Sequence, residues 1–550
     1  MIKVTCCDKE VVLRDGSSYL DAATAFSGSY DSDVYLAYNV TDSTVYELFN
    51  EVPDGAEVKF LTYADEEGSG AYKRTACLML FKAVYEELGN IENLNVEFSY
   101  NGNYFIRLKG KRISDRFCQK LKSKMETYKA LDIPVEKHFV NVCDAVRFLS
   151  ESGFKKAAHG LDYRISSKIN YYSLAGFHEY FMGQLCVSAG CIRNFDLIPF
   201  EGGALLQFPK KDDFSSLCEI KPAGPLFKVQ SSGQTWAEDI GIESLMDLND
   251  AICLGKADNL ILMQEAIFEK RIGDVALAIA EKKIKFVFLA GPSSSGKTTT
   301  AYRLAIQLRA YGLDPQIISA DNYFFGGDER PRLPNGKFDF ESIRAVDTEL
   351  FNSDMTKLLN GETVEMPTYN FAKQQREYTG RKMSLSETKV LIVEGIHCLN
   401  PLFSEKIPEE NKFRIYVSAL TPLSVDALNP IPTSECRLLR RIIRDNRTRG
   451  YTAEQTISQW GEVRKGEEEN IFPYQDNADV VINSALIYEL SVLKGYVEPL
   501  LFGIGRGEPE YTEARRLLKF LSFVLTLPAD ILPRNSVIRE FIGGSCINEK

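Results

Sequence analysis

A chain of 550 residues is too long for one hydrophobic core, and its length predicts about three to four domains. The composition, 44% hydrophobic and 26% charged, is that of a globular protein and excludes a disordered or fibrous chain. A net charge of −11 argues against broad binding to nucleic acid or to a membrane surface and leaves room only for a local basic patch.

In chain order, residues 1–62 read as a small β-rich module. Short apolar or alternating runs at 2–5, 11–13, 34–40 and 57–61 are separated by turn signals such as Asp15-Gly16 and Pro53-Asp54-Gly55. Residues 18–25 read as a short helix. The run Glu66, Glu67, Gly68, Ser69, Gly70 is expected to be a linker. Residues 71–230 form a mixed α/β region. It starts with a helix over 71–88 spaced by Ala76, Leu80, Ala83 and Val84, and it has strands at 96–100 and 104–108. Residues 231–282 are a helical connector, with two helices divided at Gly255. Residues 283–500 alternate strands (284–289, 316–319, 390–393, 413–418, 480–483) with helices, which predicts a parallel, doubly wound sheet. Residues 501–550 form a helical tail with a helix near 511–525. The expected fold class is therefore α/β: a C-terminal P-loop domain on a central parallel sheet, preceded by a small β-rich domain and a mixed α/β domain.

The twelve cysteines are scattered, without Cys-x-x-Cys or zinc-ligand spacing, and are expected to be reduced thiols in a cytoplasmic protein. The N-terminus has no apolar signal core, and no run approaches the roughly 18–20 apolar residues of a membrane span. No membrane partner is expected.

The most specific motif begins at Gly291, where GPSSSGKTT follows an apolar β-branched run and opens a helix-forming series. G-x-x-x-x-G-K-[ST] between a strand and a helix is a phosphate-cradling P-loop, which calls for ATP. Gly291 and Gly296 allow the N–H groups of Ser293, Ser294, Ser295 and the residues after them to turn inward. The helix beginning near Lys297, Thr298 and Thr299 adds its positive end. Lys297 supplies a point charge to the β- and γ-phosphates, and the Thr298 hydroxyl is a candidate Mg²⁺ ligand.

Two carboxylates follow predicted strands directly, where ligands sit in open parallel sheets. Asp321, in SADNYF, is either the base that takes a proton from an attacking hydroxyl or a turn-forming Asx residue. Glu394, in VLIVEG, either serves Mg²⁺ or opens a turn. Glu341 lies in a loop. The run Arg437, Arg440, Arg441, Arg444, Arg447, Arg449 is either a lid of cations closing over phosphates or a solvated face paired with Glu435, Asp445 and Glu454.

With these motifs in place, residues 284–485 resemble the uridine kinase and phosphoribulokinase family. The ordered matches are GPSSSGKTT at 291–299, ADNYF at 320–324, PTYNF at 367–371, VEGIH at 393–397, RLLRRIIRDNRTRG at 437–450 and NADVVIN at 477–483. The resemblance implies transfer of the ATP γ-phosphate, with Mg²⁺, to a hydroxyl of a small molecule such as a nucleoside. It assigns Asp321 as catalytic aspartate and Arg444 and Arg449 as phosphate-facing lid residues. Tyr323, Glu341, Tyr369, Gln374 and Arg376 would face the acceptor. The chain departs from the family where Glu341 replaces a ribose-binding aspartate, Asn370 an aspartate, Gln374 a pyrimidine-reading histidine and Tyr451 an arginine.

The front half resembles the N-terminal part of threonyl-tRNA synthetases, with 1–62 like a TGS domain and 71–230 like the second additional domain. Tyr72 and Ala76 stand where that domain carries its two editing-site histidines, so neither a zinc site nor editing hydrolysis is expected. Three functions follow: a nucleoside kinase, a sugar or polyol kinase, or a nucleotide-switched protein binding RNA or a translation component. The acidic balance disfavours nucleic acid, and a homo-oligomer is compatible with the sequence.

Overall fold

The computed structural model describes residues 1–151, 155–164, 166–332, 339, 341–370 and 373–547. Phe371 of the 367–371 motif and residues 548–550 of the tail lie outside the described residues.

The N-terminal module is a five-stranded sheet in the order Lys9–Leu13, Ile2–Cys6, Ala56–Thr62, Val34–Asn39, Thr44–Glu47. Its helix, Tyr19–Ala25, is started by Ser18, whose hydroxyl accepts the Asp21 N–H while Asp21 accepts the Ser18 N–H at 2.8 Å. That reciprocal cap satisfies two of the helix's orphan donors. The strand Thr44–Glu47 was not anticipated: it is four residues long and sits at the sheet edge.

The expected linker at 66–70 is instead the first turn of a helix, Glu66–Leu88. Glu66 and Glu67 complement the positive end of that helix. Gly68 is there for proximity, because a Cβ on it would stand 2.0 Å from the Thr62 carbonyl oxygen. The helix packs beside a four-stranded antiparallel sheet (Asp196–Phe200, Gly203–Gln207, Asn103–Leu108, Leu94–Tyr100) and a separate three-stranded one (Phe177–Glu179, Lys168–Leu174, Val135–Asn141). One continuous helix, Pro225–Asp239, runs through residues 230 and 231. The helices Leu245–Cys253 and Ala257–Glu281 follow, separated at Gly255, whose φ of +67° is left-handed.

The C-terminal domain holds five parallel strands: β1 (Phe286–Ala290), β2 (Asp314–Ser319), β3 (Lys389–Glu394), β4 (Lys412–Ser418) and β5 (Val480–Asn483), in the order β2-β3-β1-β4-β5. Each lies within one or two residues of its expected bounds. All five residues of β1 are buried, as a strand covered on both faces requires. Around the sheet lie α1 (Lys297–Ala310), α2 (Thr433–Arg449), α3 (Ala453–Asn470) and, from the tail, α4 (Arg539–Ile542). A two-stranded ribbon, Val364–Asn370 with Gln375–Met383, meets the turn after β2, where the Tyr369 N–H donates to Asn322 Oδ1 at 3.1 Å.

One buried apolar cluster runs from Leu36 and Leu78 in the front half through Val287 of β1 to Phe541 of α4. The tail helix Tyr511–Leu521 also reaches back, where the Thr512 hydroxyl donates to the Ser43 carbonyl. No helix among the described residues is long and apolar enough to cross a membrane.

Candidate active site

The register of the sheet gathers the chemistry at one edge. Leu289 of β1 lies opposite Glu394 of β3 and Ile415 of β4, and Ser319 of β2 also pairs with Glu394. The three strands therefore end together, so the P-loop, Asp321 and Glu394 share the carboxyl end of the sheet. Gly395 tightens that edge, since a Cβ there would meet the Ala320 Cβ at 2.5 Å.

The P-loop leaves β1 and enters α1 through Ser294 (φ +58°) and Gly296 (φ +83°), two successive left-handed turns of the backbone with Ser295 between them. A Cβ on Gly291 would stand 2.1 Å from the Val417 carbonyl oxygen, so only glycine fits. Lys297 Nζ folds over the loop and donates to the carbonyls of Gly291 (2.9 Å) and Pro292 (3.1 Å). Burial lowers the Lys297 pKa, and the Glu394 carboxylate opposes that shift. The Thr298 hydroxyl donates to Glu394 at 3.3 Å. Glu394 is pushed up to about 7, mainly by burial, with Lys297 opposing and the charges of Glu540 and Asp321 adding to the rise. Asp321 follows β2 in a 3₁₀ turn, where its own N–H donates to Ser319 Oγ at 3.3 Å. Burial raises its pKa, with Lys297 opposing.

The arginine run is not a free lid. Arg437 and Arg440 are fully buried braces of the P-loop backbone. Arg437 pairs with Glu467 of α3 (2.8 Å through its second nitrogen) and donates to the Ser293 carbonyl at 3.0 Å. Arg440 pairs with Glu489 and donates to the Ser294 carbonyl at 3.3 Å. Arg441 donates to the Ser293 hydroxyl at 2.8 Å. Arg444 and Arg449 both pair with the buried Asp445 at 3.2 Å, and Arg449 keeps half its side chain exposed. Helical spacing shows which residues share a face; it does not tell which face the protein buries.

The acceptor-side candidates divide. Tyr323 is in the core: its ring meets Phe351 edge-on at 5.0 Å and its hydroxyl donates to Asp354 at 3.3 Å. Glu341 abuts Gly466 of α3, where a Cβ would meet the glutamate Cγ at 2.8 Å. Burial, then the charge of Glu467, pushes Glu341 up to about 7. Tyr369 and Gln374 meet at Arg330, whose guanidinium lies 5.8 Å from the Tyr369 ring and donates to Gln374 Oε1 at 3.2 Å. Arg376, opposite Tyr369 in the ribbon, pairs with Asp347 at 3.0 Å. In the front half, Tyr72 and Ala76 are buried, and the Tyr72 hydroxyl donates to the Asn194 carbonyl at 2.6 Å.

Two site residues escaped the sequence reading. Glu467 Oε1 accepts the Ser293 N–H at 2.9 Å. Glu540 Oε2 accepts the Thr299 N–H at 3.1 Å and its hydroxyl at 2.7 Å. They lie 174 and 241 residues from their partners, so no local pattern marks them.

The profile of the phosphoribulokinase / uridine kinase family matches residues 286–489. A uridine kinase of Macrococcus caseolyticus is 30% identical over 201 residues, covering 36% of this chain and 88% of that protein. A uridine kinase of Mycoplasma genitalium is 32% identical over 183 residues, covering 33% and 76%. A uridine kinase of Halobacterium salinarum is 28% identical over 195 residues, covering 35% and 77%.

Proposed function

Because this chain belongs to the phosphoribulokinase / uridine kinase family, we propose that it transfers the γ-phosphate of ATP to a hydroxyl of a nucleoside. The carrying observation is the meeting of Lys297, Thr298, Asp321 and Glu394 at the ends of three adjacent parallel strands.

Gly291 to Thr299 form the cradle, with N–H groups and the Lys297 ammonium around the phosphates. Raised by burial, the Asp321 carboxylate is poised to accept the acceptor hydroxyl's proton at its oxygen as that hydroxyl attacks. Arg441 holds the Ser293 hydroxyl, Arg444 acts on Lys297, and both share Asp445 with Arg449. Preorganised cations of this kind stabilise charge on the moving phosphoryl group. Mg²⁺ fits the donor set, because Thr298 and Glu394 offer two hard oxygens side by side and this ion keeps most of its waters. When bound it would neutralise charge on the phosphates.

The acceptor-side candidates are Tyr369 and Gln374, which meet at Arg330, and Glu341, whose carboxyl feels the charges of Lys297 and Asp321. Gln374 can both donate to and accept from a base edge. The TGS-like and synthetase-like readings of 1–62 and 71–230 are supported by the separate five-stranded sheet and the α/β unit after it.

The test is ATP-to-ADP conversion with Mg²⁺ across nucleosides, sugars and polyols, on wild type and Asp321→Asn. Phosphorylation of a nucleoside that depends on Asp321 is expected. Turnover confined to sugars or polyols would overturn the nucleoside assignment, and no turnover with any acceptor would overturn the kinase.

A further inference from the structure

The nucleotide cradle already contains a carboxylate of the chain itself. Helix α1 carries no side-chain cap of its own. Its third residue, Thr299, gives both its N–H and its hydroxyl to one oxygen of Glu540, at 3.1 and 2.7 Å. Both side chains are buried, at 3% and 7% exposure.

A P-loop binds nucleotide through the N–H groups of this helix start, which cradle the α- and β-phosphates. In the reading above, Lys297 faces the β- and γ-phosphates and Thr298 the metal. The Thr299 N–H and hydroxyl, at the same helix start, are donors for the α-phosphate. A carboxylate oxygen and a phosphate oxygen make the same charge-assisted bonds and cannot occupy one donor pair together. A polyphosphate seated beside Lys297 would also meet the three carboxylates of Glu540, Glu394 and Asp321, which act on that lysine.

Glu540 is held where it is by design of the tail. Arg447 of α2 donates to the carbonyls of Glu540 (2.7 Å) and Phe541 (3.0 Å). The Arg440 guanidinium lies 5.0 Å from the Phe541 ring, and Val537 fills the space against Gly296. These contacts fix the backbone of α4, so the movable part is the glutamate side chain.

We propose that the Glu540 carboxylate is a built-in competitor for the nucleotide α-phosphate, capping α1 in the ligand-free enzyme and swinging off Thr299 when nucleotide binds. The proposal rests on the nucleotide reading of the P-loop.

The experiment is titration of the full chain with ADP, which reports binding without chemistry, in wild type, Lys297→Ala, Glu540→Gln and Glu540→Ala. ADP binding in wild type and its loss in Lys297→Ala are expected. Both Glu540 variants should bind ADP about tenfold tighter than wild type, as removal of one competing charge-assisted contact predicts. A purely structural role would leave binding unchanged or weaken it. If Lys297→Ala binds as wild type does, the nucleotide reading fails and takes the competitor with it. If binding depends on Lys297 but the Glu540 variants bind no tighter, the competitor alone is overturned. Should the alanine variant fail to fold, the isosteric Gln variant decides the question.

Discussion

Replacing Asp321 by asparagine keeps the side chain's size and removes its capacity to take a proton. The expected loss in kcat is about 10²- to 10⁴-fold, with ADP affinity at least that of wild type. Steady-state kinetics beside ADP titration checks it, and near-normal kcat would dismiss Asp321 as the base. Glu394 gives a pH prediction. Its pKa in the folded chain is about 7, against an ordinary 4.5. Folding therefore favours the protonated carboxyl. That contribution to stability is complete below about 4.5 and is lost as pH rises through 7. Mg²⁺ needs the ionised form, so its binding should release a proton and weaken up to tenfold per pH unit below 7. Mg²⁺ titrations at pH 6 and 8 in two buffers of different ionisation enthalpy would reveal both effects. Glu394→Gln should abolish the pH dependence and raise the melting temperature of the metal-free protein at pH 8.

Among the elements, the Arg437–Glu467 pair is one of the two buried pairs that brace the P-loop backbone. Its side chains are 2% and 1% exposed. Removing one partner strands a buried charge, which costs about 3–5 kcal/mol. Glu467→Gln should lower stability by an amount in that range and also weaken nucleotide binding, because Arg437, which braces the Ser293 carbonyl, loses its charged partner. Denaturant unfolding with ADP titration measures the two effects; an unchanged unfolding midpoint would refute the buried-pair argument. The same elements show what was legible. The five parallel strands could be read because a strand buried on both faces is a short apolar run with turn signals behind it. The ribbon Val364–Met383 could not: Pro367 interrupts its first strand, and Gln375–Met383 is polar and largely exposed. Arg437 and Arg440 were legible as members of one arginine-rich helix, not as buried braces, because their acids arrive from α3 and from Glu489.

For the molecule as a whole, the motif order of the C-terminal domain was readable because each piece of chemistry sits at a strand end. The front half's junction was misread because Gly, Ser and Glu suit both a linker and a helix start. Close packing decides between them, and packing is a property of two segments at once. The structure predicts that Gly68→Ala drives a methyl group into the Thr62 carbonyl and destabilises the front half by about 1–3 kcal/mol. Thermal unfolding of the full chain, with limited proteolysis to locate the loosened part, checks this; an unshifted profile would show that residues 62–68 separate at little cost.

That glycine also bears on how the front half is joined. A helix whose first turn rests on the last carbonyl of the preceding sheet gives the chain no slack at 63–70. The small N-terminal module and the 23-residue helix behind it must turn together as one lever. Its far side is tethered to the C-terminal tail through Ser43 and Thr512. The packed step from residue 62 to 68 thus makes the sheet and the helix one continuous unit rather than two parts on a tether.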